Sequence, residues 1–171
     1  LILLSSLVFA LQVTAVTPLT GRTTSQHIED QQAAVAEGLL AAAAENGTLA
    51  PTLLYWNESG DTWHDATTDG YVQGAPPTTF GETLTETFLD RGIVFDLTLY
   101  YVDDTGYRQR VPIVDLGQPS YHASTASRTV TLDDDDPLRD PDGSVSGTDL
   151  GNASYLVPDA DPNQALYSAV E

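Results

Sequence analysis

The chain has 171 residues, enough for one domain with a hydrophobic core, and its formal net charge is −19 because 25 Asp and Glu oppose 6 basic residues, all of them Arg. A negative field of this size repels phosphate and argues against a nucleic-acid partner. The absence of Cys excludes disulfides, thiolate metal sites and a cysteine nucleophile. Because charges are screened within about 3 Å at about 1 M salt, the acidic, Lys-free composition indicates adaptation to high salt, with an acidic mesophilic protein as the alternative.

Residues 1–19 form an uncharged segment, and the first charged side chain is that of Arg22. An apolar helix is predicted here, slightly shorter than the about 20 residues of a membrane span and without a polar face. We expect residues upstream of Leu1, since the sequence starts inside this apolar run without Met. A secretory signal, a membrane anchor and the apolar helix of a filament subunit are the alternatives for this segment.

A second helix, amphipathic and Ala-rich, is predicted over residues 25–46. Ser25 is a suitable N-cap, and Asn46-Gly47 favours a left-handed end to the helix. The small alanine side chains would allow other helices to approach closely. Together the apolar 1–19 and amphipathic 25–46 segments predict an N-terminal helical stalk over residues 1–46.

Residues 51–171 are predicted to form a β-rich exported head. Residues 52–56 have a strand pattern, and a capping box with an apolar face indicates a short helix over 80–91. Alternating apolar residues predict a hairpin over 93–115 and a further strand over 121–132. The predicted fold class is therefore α+β, with a long N-terminal apolar and amphipathic helix followed by an antiparallel β-rich head that contains one short helix.

The sequence contains no pattern typical of a catalytic or metal centre. His27, His64 and His122 lack metal-ligand spacing and are interpreted as surface or turn residues. Residues 133–149 hold seven Asp, and we interpret them as a solvated loop in preference to a calcium site. We therefore expect no enzymatic activity, no cofactor and no bound metal.

Asparagine gives the sharpest site prediction. Three of the four Asn stand in acceptor sequons, at Asn46, Asn57 and Asn152. All three fall at predicted turns, where an oligosaccharide could be attached. N-linked glycans on these residues would indicate that the chain is exported.

The order of these segments is that of a type IV pilin, and the chain resembles haloarchaeal type IV pilin-like proteins. The resemblance lies in the run from Leu1 to Leu19 continuing into residues 20–46, in the segment 53–59, and in the acidic composition. It implies a helical filament with N-terminal helices in its core, a head on the outside, N-linked glycans, and a role in adhesion or surface attachment.

Burial of the apolar segment would drive assembly of such subunits. Each large apolar side chain gains roughly 1.5–3 kcal/mol when it leaves water, so we expect membrane lipid to cover the segment before assembly and identical copies afterwards. The predicted assembly residues are Leu3, Leu4, Leu7, Val8, Phe9, Leu11 and Val16. We therefore expect an extracellular subunit of a homo-oligomeric cell-surface filament. The alternative is a single-pass membrane-anchored protein whose head binds a partner at the cell surface.

Overall fold

The structure, a computed structural model, covers most of the chain up to residue 132. It describes residues 5–15, 22–119, 121, 123–132, 136–140, 144–145 and 156, with the backbone alone for 5–15 and 22–25. The helices and strands of these residues are, in chain order, β1 (Ser5–Ala15), α1 (Arg22–Glu45), α2 (Leu49–Leu53), β2 (Trp56–Asn57), β3 (Thr62–Trp63), α3 (Thr79–Thr87), β4 (Ile93–Val102), β5 (Arg108–Val114) and β6 (Ser124–Leu132).

Two antiparallel sheets organise these elements. The larger has the strand order β5-β4-β1-β6, so that β1 lies inside the sheet while both its neighbours come much later in the sequence. The smaller is the β2–β3 hairpin, in which Trp56 pairs with Trp63. The larger sheet therefore depends on pairing between distant parts of the chain.

The predicted N-terminal apolar helix is wrong, because residues 5–15 form strand β1. The sequence of this segment also contains a strand signal. Leu7, Phe9, Leu11 and Val13 recur at every second position, which is the period of a strand. β-branched and aromatic residues also favour strands. Pairing along both edges of β1 with β4 and β6 stabilises the strand, so the predicted fold class is wrong in its long N-terminal helix.

Helix α1 forms where an amphipathic helix was predicted, and it packs against the larger sheet. Ala36 and Leu40 are fully buried and belong to the same hydrophobic cluster as residues of β4 and β6. The Ser124 hydroxyl of β6 donates to the Glu29 carbonyl oxygen of α1 at 2.7 Å. The largest side chains that are fully buried come from helices, strands and the connections between them and are Trp63, Tyr55, Phe80, Phe88, Phe95, Leu40, Leu49, Leu53 and Leu84.

Several predictions after residue 51 are confirmed, and one is wrong. The hairpin forms as β4 and β5, β6 matches the last predicted strand, and α3 covers most of the predicted short helix. The strand predicted over residues 52–56 is wrong in its first part, because α2 extends to Leu53. There the Thr52 hydroxyl bonds to the Thr48 carbonyl oxygen at 3.2 Å, which is a helical contact, and to the Thr78 hydroxyl at 2.7 Å, which joins α2 to the start of α3.

Candidate functional site

Strand β1 fills the slot between β4 and β6, and this slot contains many of the residues that were expected to act in assembly. Along β4 the register runs from Val8 opposite Tyr100 to Ala15 opposite Ile93. Along β6 it runs from Ser5 opposite Leu132 to Val13 opposite Ser124. Of the predicted assembly residues, those on the β1 backbone are Leu7, Val8, Phe9 and Leu11. Those outside the described residues are Leu3, Leu4 and Val16.

The two walls of this slot are held by other parts of the chain. Strand β4 pairs with β5 on its far side, and the Phe95 ring of β4 packs against Phe88 at a centroid distance of 6.0 Å. Strand β6 contacts α1 through the hydrogen bond from Ser124 to Glu29. Both walls thus have contacts that do not involve β1.

Asn46, the first predicted glycosylation residue, follows α1 directly and is exposed. Gly47 has a φ of +68°, the left-handed conformation that the Asn-Gly pair predicted for the helix end. The hydroxyl of Thr48, the third residue of this sequon, donates to the Ala43 carbonyl oxygen at 3.3 Å. The acceptor amide therefore stands at an accessible helix end.

Asn57, the second predicted glycosylation residue, ends β2 and is half-buried. Its Oδ1 atom accepts a hydrogen bond from the Gly60 backbone N–H at 3.3 Å, which caps the short 3₁₀ turn that follows. Ser59, which completes the sequon, is exposed. The hairpin is joined to the larger sheet by Trp63, whose Nε1 donates to the Pro112 carbonyl oxygen at 2.8 Å. Asn152 lies outside the described residues.

A shallow groove opens beside Asn46, between α1 and α3. It has a volume of about 270 Å³, and its walls include Leu39 and Ala42 from α1 and Phe80 and Thr83 from α3. These walls are mostly apolar with threonine hydroxyls at the edges. Such a surface could accept a small apolar or mixed ligand.

A contact between three side chains fixes the loop that follows β3. The Tyr55 hydroxyl, on a side chain that is almost fully buried, donates to Asp65 Oδ2 at 3.2 Å. The His64 ring meets the Tyr55 ring edge-on at a centroid distance of 4.9 Å. Asp65 has a φ of +60°, uncommon for a residue other than glycine. His27 is exposed on α1, and His122 lies outside the described residues.

Two carboxyl groups of the larger sheet have shifted pKa values. Asp103, in the turn between β4 and β5, accepts hydrogen bonds from the Thr105 hydroxyl at 2.6 Å, from Gln109 Nε2 at 2.6 Å and from the Tyr107 backbone N–H at 2.8 Å. These bonds, the one from Thr105 above all, lower the pKa of Asp103 to about 2. Burial raises the pKa of Asp96 in β4, although the Leu116 backbone N–H donates to its Oδ1 at 2.9 Å and opposes the shift.

Within the part of the chain that the structure describes, no three His, Asp or Glu side chains are grouped so that they could hold a metal ion. Among the same residues, no helix combines the length and the hydropathy needed to cross a bilayer.

The described fold and site define a small acidic protein in which helices pack on an antiparallel sheet and the first strand lies inside that sheet. The chain belongs to a family of unknown function, DUF7288, whose model matches residues 1–171. No curated protein matches the chain, and no solved structure matches it either.

Proposed function

We propose that this protein is a structural subunit of a type IV pilus-like filament on the surface of a salt-adapted archaeon, where it carries N-linked glycans and serves adhesion. The proposal does not include a filament core of apolar N-terminal helices, because residues 5–15 form a strand. It retains the exported, homo-oligomeric subunit with its acidic surface towards the medium.

The observation that carries this proposal is the position of two acceptor asparagines at turns. Asn46 is exposed at the end of α1, and Asn57 begins a turn whose other residues are exposed. A sequon is useful only where an oligosaccharide can project into solvent. The net charge of −19 without Lys adds support, since such a surface suits a medium in which salt screens the repulsion between carboxylates.

A second function, binding of a partner at the cell surface, is favoured by the groove of about 270 Å³ beside Asn46. In that case the protein would act as a single copy, and the groove would accept a small ligand or the side chain of a partner. The oligomeric state separates this alternative from the filament.

The test is to produce the full chain in a halophilic archaeal host and to examine the purified protein in high salt. We expect filaments by electron microscopy and an intact mass above that of the bare chain. A monomeric protein without filaments would contradict the filament proposal and favour the binding function. A mass equal to that of the bare chain would contradict the glycan part.

Two substitutions assign the glycans to their sites. Asn46→Gln removes the first acceptor at an exposed position. Ser59→Ala removes the second sequon while leaving the hydrogen bond from the Gly60 N–H to Asn57 in place. Each should lower the mass by one glycan, whereas the control Ser59→Thr, which keeps the sequon, should leave the mass of the glycan unchanged.

A further inference from the structure

We propose that β1, which fills the slot between β4 and β6 of its own chain in the structure of the single copy, exchanges between copies in the assembled protein, so that the slot of one copy is filled by β1 of a second copy. This inference rests on the proposed filament function, because it names the contact through which the subunits join. The partner it requires is therefore another copy of the same chain, which contributes eleven residues of backbone to its neighbour's sheet.

The pairing of β1 shows what the slot demands. Strand β1 pairs with β4 over eight residue pairs and with β6 over nine. Adjacent strands lie about 4.8 Å apart, so without β1 the walls would stand roughly 9.6 Å apart with two unpaired edges facing each other. Only an extended segment can satisfy both edges at once, and it makes the same backbone bonds whichever copy supplies it.

The rest of the chain is suited to receive a strand. Its hydrophobic cluster includes residues of α1, α2, α3, β4, β5 and β6. Strand β4 is held by β5 and by the Phe88–Phe95 contact, and β6 by the Ser124–Glu29 bond. The walls of the slot are thus fixed by contacts within one copy, and a donated β1 would enter a prepared site.

The chemistry of β1 suits a strand that passes between copies. Residues 1–19 carry no charge, although the chain as a whole has a net charge of −19. Inserting β1 into a neighbour therefore buries no ionised group, which would carry a large desolvation cost. The acidic bodies of the two copies repel each other in dilute buffer, and high salt removes most of this repulsion.

The length of the connection limits how the copies are arranged. Seven residue steps separate Ala15 from Arg22, and at about 3.4 Å per step they span at most about 24 Å. The receiving slot must therefore lie within that distance of the donor's α1. If each copy donates in one direction and receives from the other, the contact is heterologous and generates an open filament.

Disulfide trapping in the full chain tests this inference, because the protein has no Cys of its own. Ala10 is the Cα partner of Thr98 on β4 and of Ser127 on β6. Paired residues in an antiparallel sheet lie about 4.5–5.5 Å apart at Cα, within the range of a disulfide. The variants are Ala10→Cys with Thr98→Cys, and Ala10→Cys with Ser127→Cys, in which the second cysteine replaces a half-buried serine.

Each variant is purified in high salt, oxidised and run on a denaturing gel. A ladder of covalent multimers is the expected result, since every copy would be linked to the next. A covalent monomer alone, with its disulfide inside one chain, would overturn the exchange of β1. If one pair fails to fold, the other pair gives the same readout from the opposite wall of the slot.

A matched control excludes random cross-linking. In Ala10→Cys with Thr131→Cys the second cysteine stays on β6 but lies four residues from the correct partner, roughly 13 Å away, so no ladder should form. A ladder in this control equal to that of the paired variants would refute the inference.

The same gel, read together with microscopy, shows whether the exchange of β1 fails, the filament function fails, or both. Filaments by microscopy with only intrachain disulfides would leave the filament function standing and refute the exchange. Covalent dimers without higher multimers would support an exchange that is reciprocal between two copies, and would contradict the filament function.

Discussion

Replacing Gly81 by Ala should destabilise the protein, because the turn before α3 touches the backbone of that helix. A Cβ atom at Gly81 would lie 1.7 Å from the Pro76 carbonyl oxygen, whereas ordinary contact begins at 3.4 Å, so the two backbones must separate by about 1.7 Å. The shift would also strain the bond in which the Gly81 N–H donates to the Thr78 hydroxyl at 3.2 Å.

Three contributions determine how much the free energy of unfolding falls in Gly81→Ala. Overpacking costs about 1–3 kcal/mol, and both atoms here lie on or next to the backbone, so the upper end applies. Loss of the Thr78 cap costs about 1 kcal/mol, and the better helix propensity of Ala returns about 1 kcal/mol. We expect a net loss of about 2–3 kcal/mol, which is about 5–10 °C in melting temperature for a chain of this size.

Denaturant unfolding in high salt, followed by the fluorescence of the two Trp residues, measures this loss. The matched control is Gly38→Ala, at an exposed position in the interior of α1 where an added Cβ meets nothing within 4 Å. The control should gain up to about 1 kcal/mol. Equal effects of the two substitutions on the free energy of unfolding would refute the contact between Gly81 and Pro76.

Two further predictions concern charge. With a net charge of −19, the full chain should lose melting temperature when salt falls from about 1 M to about 0.1 M, because the screening length grows from about 3 Å to about 10 Å; equal melting temperatures at both salts would argue against adaptation to high salt. Asp103 has a folded pKa of about 2, below its ordinary 3.8, so the stability it contributes is complete above about pH 4 and is lost as the pH falls towards 2. Asp103→Asn should therefore be less stable than the natural protein at neutral pH, and this difference should shrink in acid; a difference that is constant between pH 2 and pH 7 would contradict the role of its hydrogen bonds.

Elements with strong local signals could be predicted from the sequence. The alternation from Ile93 to Val102 and the turn that follows specify the β4–β5 hairpin without distant contacts. The Asn46-Gly47 pair marks the end of α1, because Gly adopts the left-handed conformation without strain. The capping signal before α3 is also local, since the Thr78 hydroxyl accepts a hydrogen bond from the Gly81 N–H at the start of that helix.

The N-terminal strand could not be assigned by the same reasoning, because its signal is ambiguous. The alternation of Leu7, Phe9, Leu11 and Val13 favours a strand, but Val8 and Ala10 between them are also apolar, so the run fits a buried helix as well and periodicity alone does not decide. The segment forms a strand because its backbone pairs with the edges of β4 and β6, which lie more than 75 positions away in the sequence. The same holds for the contact between Thr52 and Thr78, which joins α2 to α3 across 26 positions.

The two Trp residues of the β2–β3 hairpin give a last prediction about how the Asn57 turn is held in place. Trp56 and Trp63 are both buried, and their rings meet edge-on at a centroid distance of 4.8 Å. Trp63 also forms a hydrogen bond, since its Nε1 donates to the Pro112 carbonyl oxygen of β5 at 2.8 Å. Among the described residues, Trp56 Nε1 has no hydrogen-bond partner.

Substitution by Phe removes the N–H from each residue and reduces the ring by a similar volume, so the difference between the two variants isolates the hydrogen bond. Trp63→Phe should lose more stability than Trp56→Phe by about 1–2 kcal/mol, because one variant loses a bond while the other loses a buried donor that lacks a partner. Denaturant unfolding measures both. Since the Trp63 hydrogen bond links the hairpin to β5, Trp63→Phe should also increase amide hydrogen exchange at Asn57 to Gly60. Equal losses of stability in the two variants would show that packing alone holds the hairpin.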